Sequence, residues 1–128
     1  MLFAIPTEDE VSIFEGHFGD APFFLIYDEN FDLVDKIRNV DYEEKHHGDP
    51  VKAKHIMNLL SNVDVLIAKQ MGPNIQRVAK RFMLIFSKVT KIDKIINILK
   101  DKNIRFDKST ILYLTDNNIV RKIPNKFL

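Results

Sequence analysis

Val-Asp-Val-Leu-Ile-Ala occupies positions 63–68, followed by Lys69-Gln70-Met71-Gly72-Pro73-Asn74, then Ile-Gln-Arg-Val-Ala-Lys-Arg at 75–81 and Phe-Met-Leu-Ile-Phe at 82–86. The first run is short, β-branched and apolar but for one acid, which predicts a buried strand. Gly72-Pro73 punctuates the chain and starts a helix, because proline suits a first helical turn. Ile75, Val78, Ala79 and Phe82 then recur at helical spacing. Phe82–Phe86 is a second buried strand. Strand, helix, strand in this order is the unit of an α/β sheet.

The same reading extends in both directions. Upstream, Asp49 can cap and Pro50 can open a helix whose apolar face is Ala53, Ile56, Leu59 and Leu60. Before it come strands at Leu2–Ile5, Pro22–Tyr27 and Leu33–Val40, with polar, acidic loops at Thr7–Gly19 and Asp41–Asp49. Downstream, Thr90 is expected to cap a third helix, with Asp93 in the capping-box position and Ile92, Ile95, Ile96 and Leu99 as its buried face. Ile111–Leu114 and Ile119–Ile123, joined by Asp116-Asn117-Asn118, read as a terminal hairpin. Two such strands are marginal alone, so the hairpin needs a sheet edge or, in a homodimer, a second subunit.

The order places three loops together. If strand one runs up, strand two returns, strand three runs up, the helix descends and strand four runs up again. The loops after strands one, three and four then share the upper edge, where open α/β sheets bind ligands. They contain Gly16-His17-Phe18-Gly19, His46-His47-Gly48 and Met71-Gly72-Pro73-Asn74.

At 128 residues the chain is long enough for one domain with a substantial core. No apolar run approaches the roughly 18 residues that span a bilayer, and Met1–Pro6 reads as a first strand rather than a signal peptide. A cytoplasmic location is expected. There is no cysteine, which excludes disulfides, thiolate nucleophiles and cysteine-held iron–sulfur clusters. The net charge of +1 conceals an asymmetry: residues 1–49 carry 13 acids and 3 bases, residues 50–128 carry 5 acids and 16 bases. The basic half lacks aromatic residues interleaved with its lysines, so it reads as solvated helix faces offset by the acidic half, not as a nucleic-acid surface.

No Walker A motif, Rossmann glycine fingerprint or nucleophile elbow is present. The acids Glu8, Asp9, Glu10 and Glu15 lie on a loop expected to be mobile and lack a spacing that singles out an acid–base pair. His17 in its glycine-flanked turn has the chemistry of a metal ligand, and the glycines let backbone approach a bulky group. A loop histidine bonded only to backbone is the plainer alternative. The N–H groups of Asn74, Ile75 and Gln76 can meet an anion at the helix start, although simple helix initiation needs no ligand. His55, on the first helix, reads as a surface residue.

In sequence order, Ala4-Ile5-Pro6, His17-Phe18-Gly19, Ala21-Pro22-Phe23-Phe24, His47-Gly48 and Gly72-Pro73-Asn74 resemble the dinitrogenase iron-molybdenum cofactor biosynthesis family over about residues 1–100. The resemblance implies a five-stranded mixed sheet flanked by helices on both faces, of ribonuclease H-like architecture. Residues 1–102 would form the carrier-like domain and 103–128 a C-terminal hairpin extension packed on it. It also implies a non-catalytic carrier or chaperone that transiently binds an iron–sulfur or molybdenum-containing cluster. In that reading His17 is the metal ligand, and Phe18, Gly19, His47, Gly48, Gly72, Pro73 and Asn74 complete the cofactor-binding set. The implied partners are metal-cofactor assembly or acceptor proteins. Nuclease chemistry does not carry over, because strand one contains no acid. Two departures stand out: Asp20 replaces a base after His-Phe-Gly, and Lys69 replaces the glycine usual after strand four. The competing reading is a regulatory or interaction module that binds a small anion or protein partner at the same edge without metal.

Overall fold

Alternation along the strands sends successive side chains into two separate cores, one on each face of a single sheet. In the computed structural model, which describes residues 1–39, 50–73, 75–102, 110–115 and 120–124, the strands are β1 (Phe3–Thr7), β2 (Phe23–Tyr27), β3 (Leu33–Arg38), β4 (Val65–Ala68), β5 (Met83–Ser87), β6 (Thr110–Leu114) and β7 (Val120–Pro124). The helices are α1 (Pro50–Leu59), α2 (Ile75–Arg81) and α3 (Ile92–Lys102). The cap expected at Asp49 lies outside the described residues.

Phe3, Ile5, Leu25, Tyr27, Val65, Ile67 and Ile85 face α3, where they meet Ile92, Ile95, Ile96 and Leu99. Ala4, Phe24, Ile26, Leu66, Ala68 and Leu84 face the other way, against Ile56 and Leu60 of α1 and Val78 and Ala79 of α2. A strand buried on both faces needs apolar residues at every position, which is why 65–68 reads as an unbroken hydrophobic run.

The strand order is β3-β2-β1-β4-β5-β6-β7. β2 is antiparallel to both β1 and β3. The β1–β4 and β4–β5 pairs are parallel. The directions expected from sequence therefore hold, and the fold is mixed α/β. The strand count differs. The terminal hairpin is not an appendage to a five-stranded sheet: β6 pairs in parallel with β5, β7 pairs antiparallel with β6, and the sheet has seven strands. Ile111, Leu112 and Leu114 are buried in the two cores. Thus the edge of β5, not a second subunit, is the partner the hairpin required.

Two local expectations also change. α3 begins at Ile92, and the Lys91 carbonyl accepts its first helical bond from Ile95 N–H (3.0 Å), so Lys91 rather than Thr90 is the cap residue. Thr90 instead gives its carbonyl to Ile13 N–H at 2.9 Å. The loop after β1 is also strapped down. Phe14 N–H donates to Pro6 O (2.8 Å), Ile92 N–H donates to Val11 O (3.0 Å), and Ile13 is fully buried. Within it, the backbone N–H groups of Ser12 and Val11 bond the Asp9 carboxylate and hold it below the usual carboxylate range.

The strands of the acidic half, β1 to β3, and those of the basic half, β4 to β7, lie on either side of the β1–β4 seam. α1 and α3 of the basic half pack on the two faces of β1 and β2, so the halves fold against each other. β3 forms one edge, with Leu33 and Val34 exposed and an irregularity in its register opposite Ile26 and Tyr27. A two-fold copy pairing antiparallel here would set residues of like parity opposite one another. In the registers that overlap most of β3, Asp35 would face Asp35, or Lys36 would face Lys36 or Arg38. Like charges directly opposite destabilise pairing, so those registers are disfavoured.

Two outcomes follow. Leu112→Ala should cost about 2–5 kcal/mol, and deletion of 103–128 should abolish the cooperative unfolding transition by stripping β5 of its partner. Urea denaturation reads both, and an unchanged midpoint in either would show β6 to be dispensable. Burial, and secondarily the Asp93 carboxylate, pushes the Tyr27 phenol above its ordinary value of 10.0. Above about pH 10 the unfolded chain releases a proton that the folded chain retains, so stability falls as pH rises toward the folded pKa. Tyr27→Phe should flatten that alkaline slope in denaturation measured across the window.

Candidate functional site

The loop carrying His17 docks on the chain just beyond β4. His17 forms an isolated parallel bridge with Gln70, and Phe18 N–H donates to Gln70 O at 3.1 Å. The Gln70 side chain returns the contact through Nε2 to Glu15 O at 2.7 Å. Lys69 Nζ lies 3.7 Å from Glu15 Oε1. Because β1 and β4 are parallel neighbours, the two loops leave the sheet side by side, and these bonds lock them together.

His17 precedes a single 3-10 turn at Phe18–Asp20. Phe18 anchors that turn: it is 2% exposed and stacks on Phe24 with ring centroids 5.0 Å apart. The His17 ring stays partly open to solvent, at 29%, with Nδ1 3.9 Å from Asp20 Oδ2. Gly72 also lies against the ring. A Cβ built at Gly72 would lie 3.1 Å from His17 Nδ1 and 3.5 Å from Cγ, so the imidazole rests against bare backbone there. Any side chain at 72 would press on the ring.

Behind the turn sits a clamp that sequence reasoning missed. Asn39, one residue beyond β3, donates both amide hydrogens, to Gly19 O (3.1 Å) and Ala21 O (3.0 Å). Its Oδ1 is 2.9 Å from His55 Nε2. Since Asn39 spends both donors on carbonyls, Oδ1 is the acceptor and His55 Nε2 carries the hydrogen. His55 is therefore not a bystander on the helix surface. It ties α1 to the His17 loop through Asn39. Neither residue has a sequence signal: one is an asparagine at a strand end, the other a histidine inside an ordinary helix.

The remaining expected site residues divide. Phe18, Gly19 and Gly72 gather around His17 as described, and Pro73 follows Gly72 directly. His46, His47, Gly48 and Asn74 lie outside the described residues. α2 starts at Ile75, whose N–H donates to Gly72 O (3.1 Å), so this amide is not available to an anion. The described residues contain no group of three or more His, Asp or Glu side chains able to hold a metal ion. A cavity of about 310 Å³ opens one strand along, lined by Lys69, Gln70, Met71, Phe86, Lys88 and Tyr113 among others, without His17.

The family described as dinitrogenase iron-molybdenum cofactor matches residues 1–102. The chain belongs to this family. No curated protein and no solved structure matches it. The matched region contains His17, Gly72, Asn39 and His55, together with β1 to β5 and all three helices. It stops before β6. Membership associates the chain with the iron-molybdenum cofactor. No helix among the described residues is long and apolar enough to cross a membrane.

Asn39→Ala would leave the Gly19 and Ala21 carbonyls without their donor, at a cost of about 1–3 kcal/mol. The expected consequence is faster amide exchange across residues 17–21 with the sheet amides still protected. Exchange unchanged in that loop would show that the clamp does not hold it.

Proposed function

We propose that this protein is a non-catalytic carrier or chaperone that holds an iron–sulfur or molybdenum-containing cluster, or its precursor, at His17. The observation that carries the reading is the seating of the His17 imidazole, packed on bare backbone at Gly72 in a family associated with this cofactor. The cluster is cargo. It brings its own metals and sulfides and needs few protein donors, so one imidazole surrounded by backbone suits it. A bare ion would need a fuller ligand set than one imidazole supplies. Phe18 and Gly19 shape the turn beside His17, and His47, Gly48, Pro73 and Asn74 are the further contacts this reading assigns to the cargo.

Weak holding suits a carrier that must give its cargo to assembly or acceptor proteins. With no cysteine in the chain, no thiolate competes for the cluster. Asp20 beside His17 disfavours an anionic cargo. Lys69 does not offset Asp20, because its ammonium faces Glu15 and the Lys88 carbonyl (3.3 Å). Release is therefore built into the electrostatics. The order of β1 to β5, with only β2 reversed, supports the ribonuclease H-like reading, and the absence of an acid on β1 supports binding over nuclease chemistry.

The test is anaerobic loading with an iron–sulfur or molybdenum-containing cluster, read by elemental analysis and the visible spectrum. His17→Ala should lose most of the bound metal while thermal unfolding stays within about 1 kcal/mol of the parent, as for most surface substitutions. His55→Ala should reduce binding less, through the Asn39 clamp. If His17→Ala takes up cluster as well as the parent does, the carrier reading at His17 fails. The module that binds a small anion or partner without metal then becomes the better account.

A further inference from the structure

Two features of the chain remain outside the carrier reading: Lys69 and the segment beyond 102. They meet in one place. The cavity of about 310 Å³ lies at the carboxyl ends of β4, β5 and β6, and its lining includes Lys69 after β4, Phe86 and Lys88 from the end of β5, and Tyr113 of β6. β4, β5 and β6 are mutually parallel, so this is the edge where an α/β sheet takes ligands.

Its walls have distinct chemistry. Phe86 and Tyr113 are register partners whose rings stack with centroids 5.6 Å apart and planes 28° from parallel. They make a flat aromatic wall. Met71 and Ile75 add apolar surface. Ile75, the first residue of α2, borders this wall. Lys69 is committed to Glu15 and the Lys88 carbonyl, but among the described residues no carboxylate pairs with the Lys88 ammonium. An aromatic wall beside an uncompensated cation favours a ligand with a flat apolar body and one negative charge. The volume is at the small end of the range for ligand sites, about 300–1,000 Å³.

We propose that this cavity is a second ligand site, separate from His17, for a small aromatic carboxylate or a similarly sized flat organic anion. Lys88 binds the charge and the Phe86–Tyr113 pair stacks on the body. The site exists only because β6 extends the sheet past the region the family matches. Gln70 and Met71 line it, while Gly72 supports His17 from the next position along the chain, so its occupant would sit beside the carrier loop.

The probe is 2-naphthoate, titrated calorimetrically into the metal-free 128-residue protein. One-to-one binding is expected, weakened about tenfold or more by Lys88→Gln and by Tyr113→Ala. The neutral analogue 2-naphthalenemethanol should bind about tenfold more weakly than naphthoate. Lys36→Gln, on the far edge of the sheet, should change nothing. Lys88 is exposed, so its variant reports on the site even if Tyr113→Ala disturbs packing. Absence of binding, or naphthoate binding that ignores Lys88→Gln, would overturn the proposal. Equal affinity for the alcohol and the acid would also overturn it. The titration contains no cluster, so its outcome is independent of His17.

Discussion

Parallel pairing of β1 with β4, through Phe3 opposite Val65 and Ala4 opposite Leu66, is the contact on which the arrangement depends. It joins the acidic N-terminal flank to the basic C-terminal flank. It also fixes both loops at the same end of the sheet. Asp64 reinforces the pairing at the opposite end: its carboxylate accepts from Leu2 N–H at 2.9 Å, and its own N–H donates to Leu2 O. A slip of one residue would exchange the two cores, sending Phe3 toward α1 and Ala4 toward α3. The volumes could not accommodate that, because Phe3 packs against Phe31 on one face while the β1 residues facing the other are the smaller Ala4 and Pro6.

With that seam fixed, the candidate site needs little further construction. Gln70 is an extension of β4 that happens to run beside the His17 turn, and it pairs with the turn by main chain and side chain together. Phe18 supplies the hydrophobic anchor, about 2–3 kcal/mol for a fully buried phenylalanine. Asn39 satisfies two carbonyls that would otherwise face a half-buried gap. The imidazole is thus presented on a firmly held turn, with the Asp20 carboxylate beside it.

The C-terminal strands alter more than stability. By pairing with β5 they convert an exposed parallel edge into interior sheet, and they bring Tyr113 over Phe86. The same addition that covers a hazard edge brings Tyr113 into the lining of the cavity beside Lys69 and Lys88. The other edge, β3, is handled differently: charge and an irregular register discourage pairing there.

What the sequence by itself determined is the set of strands and helices, the directions of β1 to β4, and the upper-edge convergence of His17 with Gly72. Those follow from local signals: the apolar runs at 23–27 and 65–68, the helical spacing of Ile92, Ile95, Ile96 and Leu99, and the rule that a helix between parallel strands returns the chain. The family's ordered motifs were legible for the same reason, being contiguous. Only the tertiary structure decided the strand count, since an amphipathic hairpin carries no mark of which edge will receive it. It also decided the roles of Asn39, His55 and Ile13, whose partners are distant in sequence. The cavity beside Lys88 belongs to the same class: four separate segments line it, and nothing in any one of them announces the others.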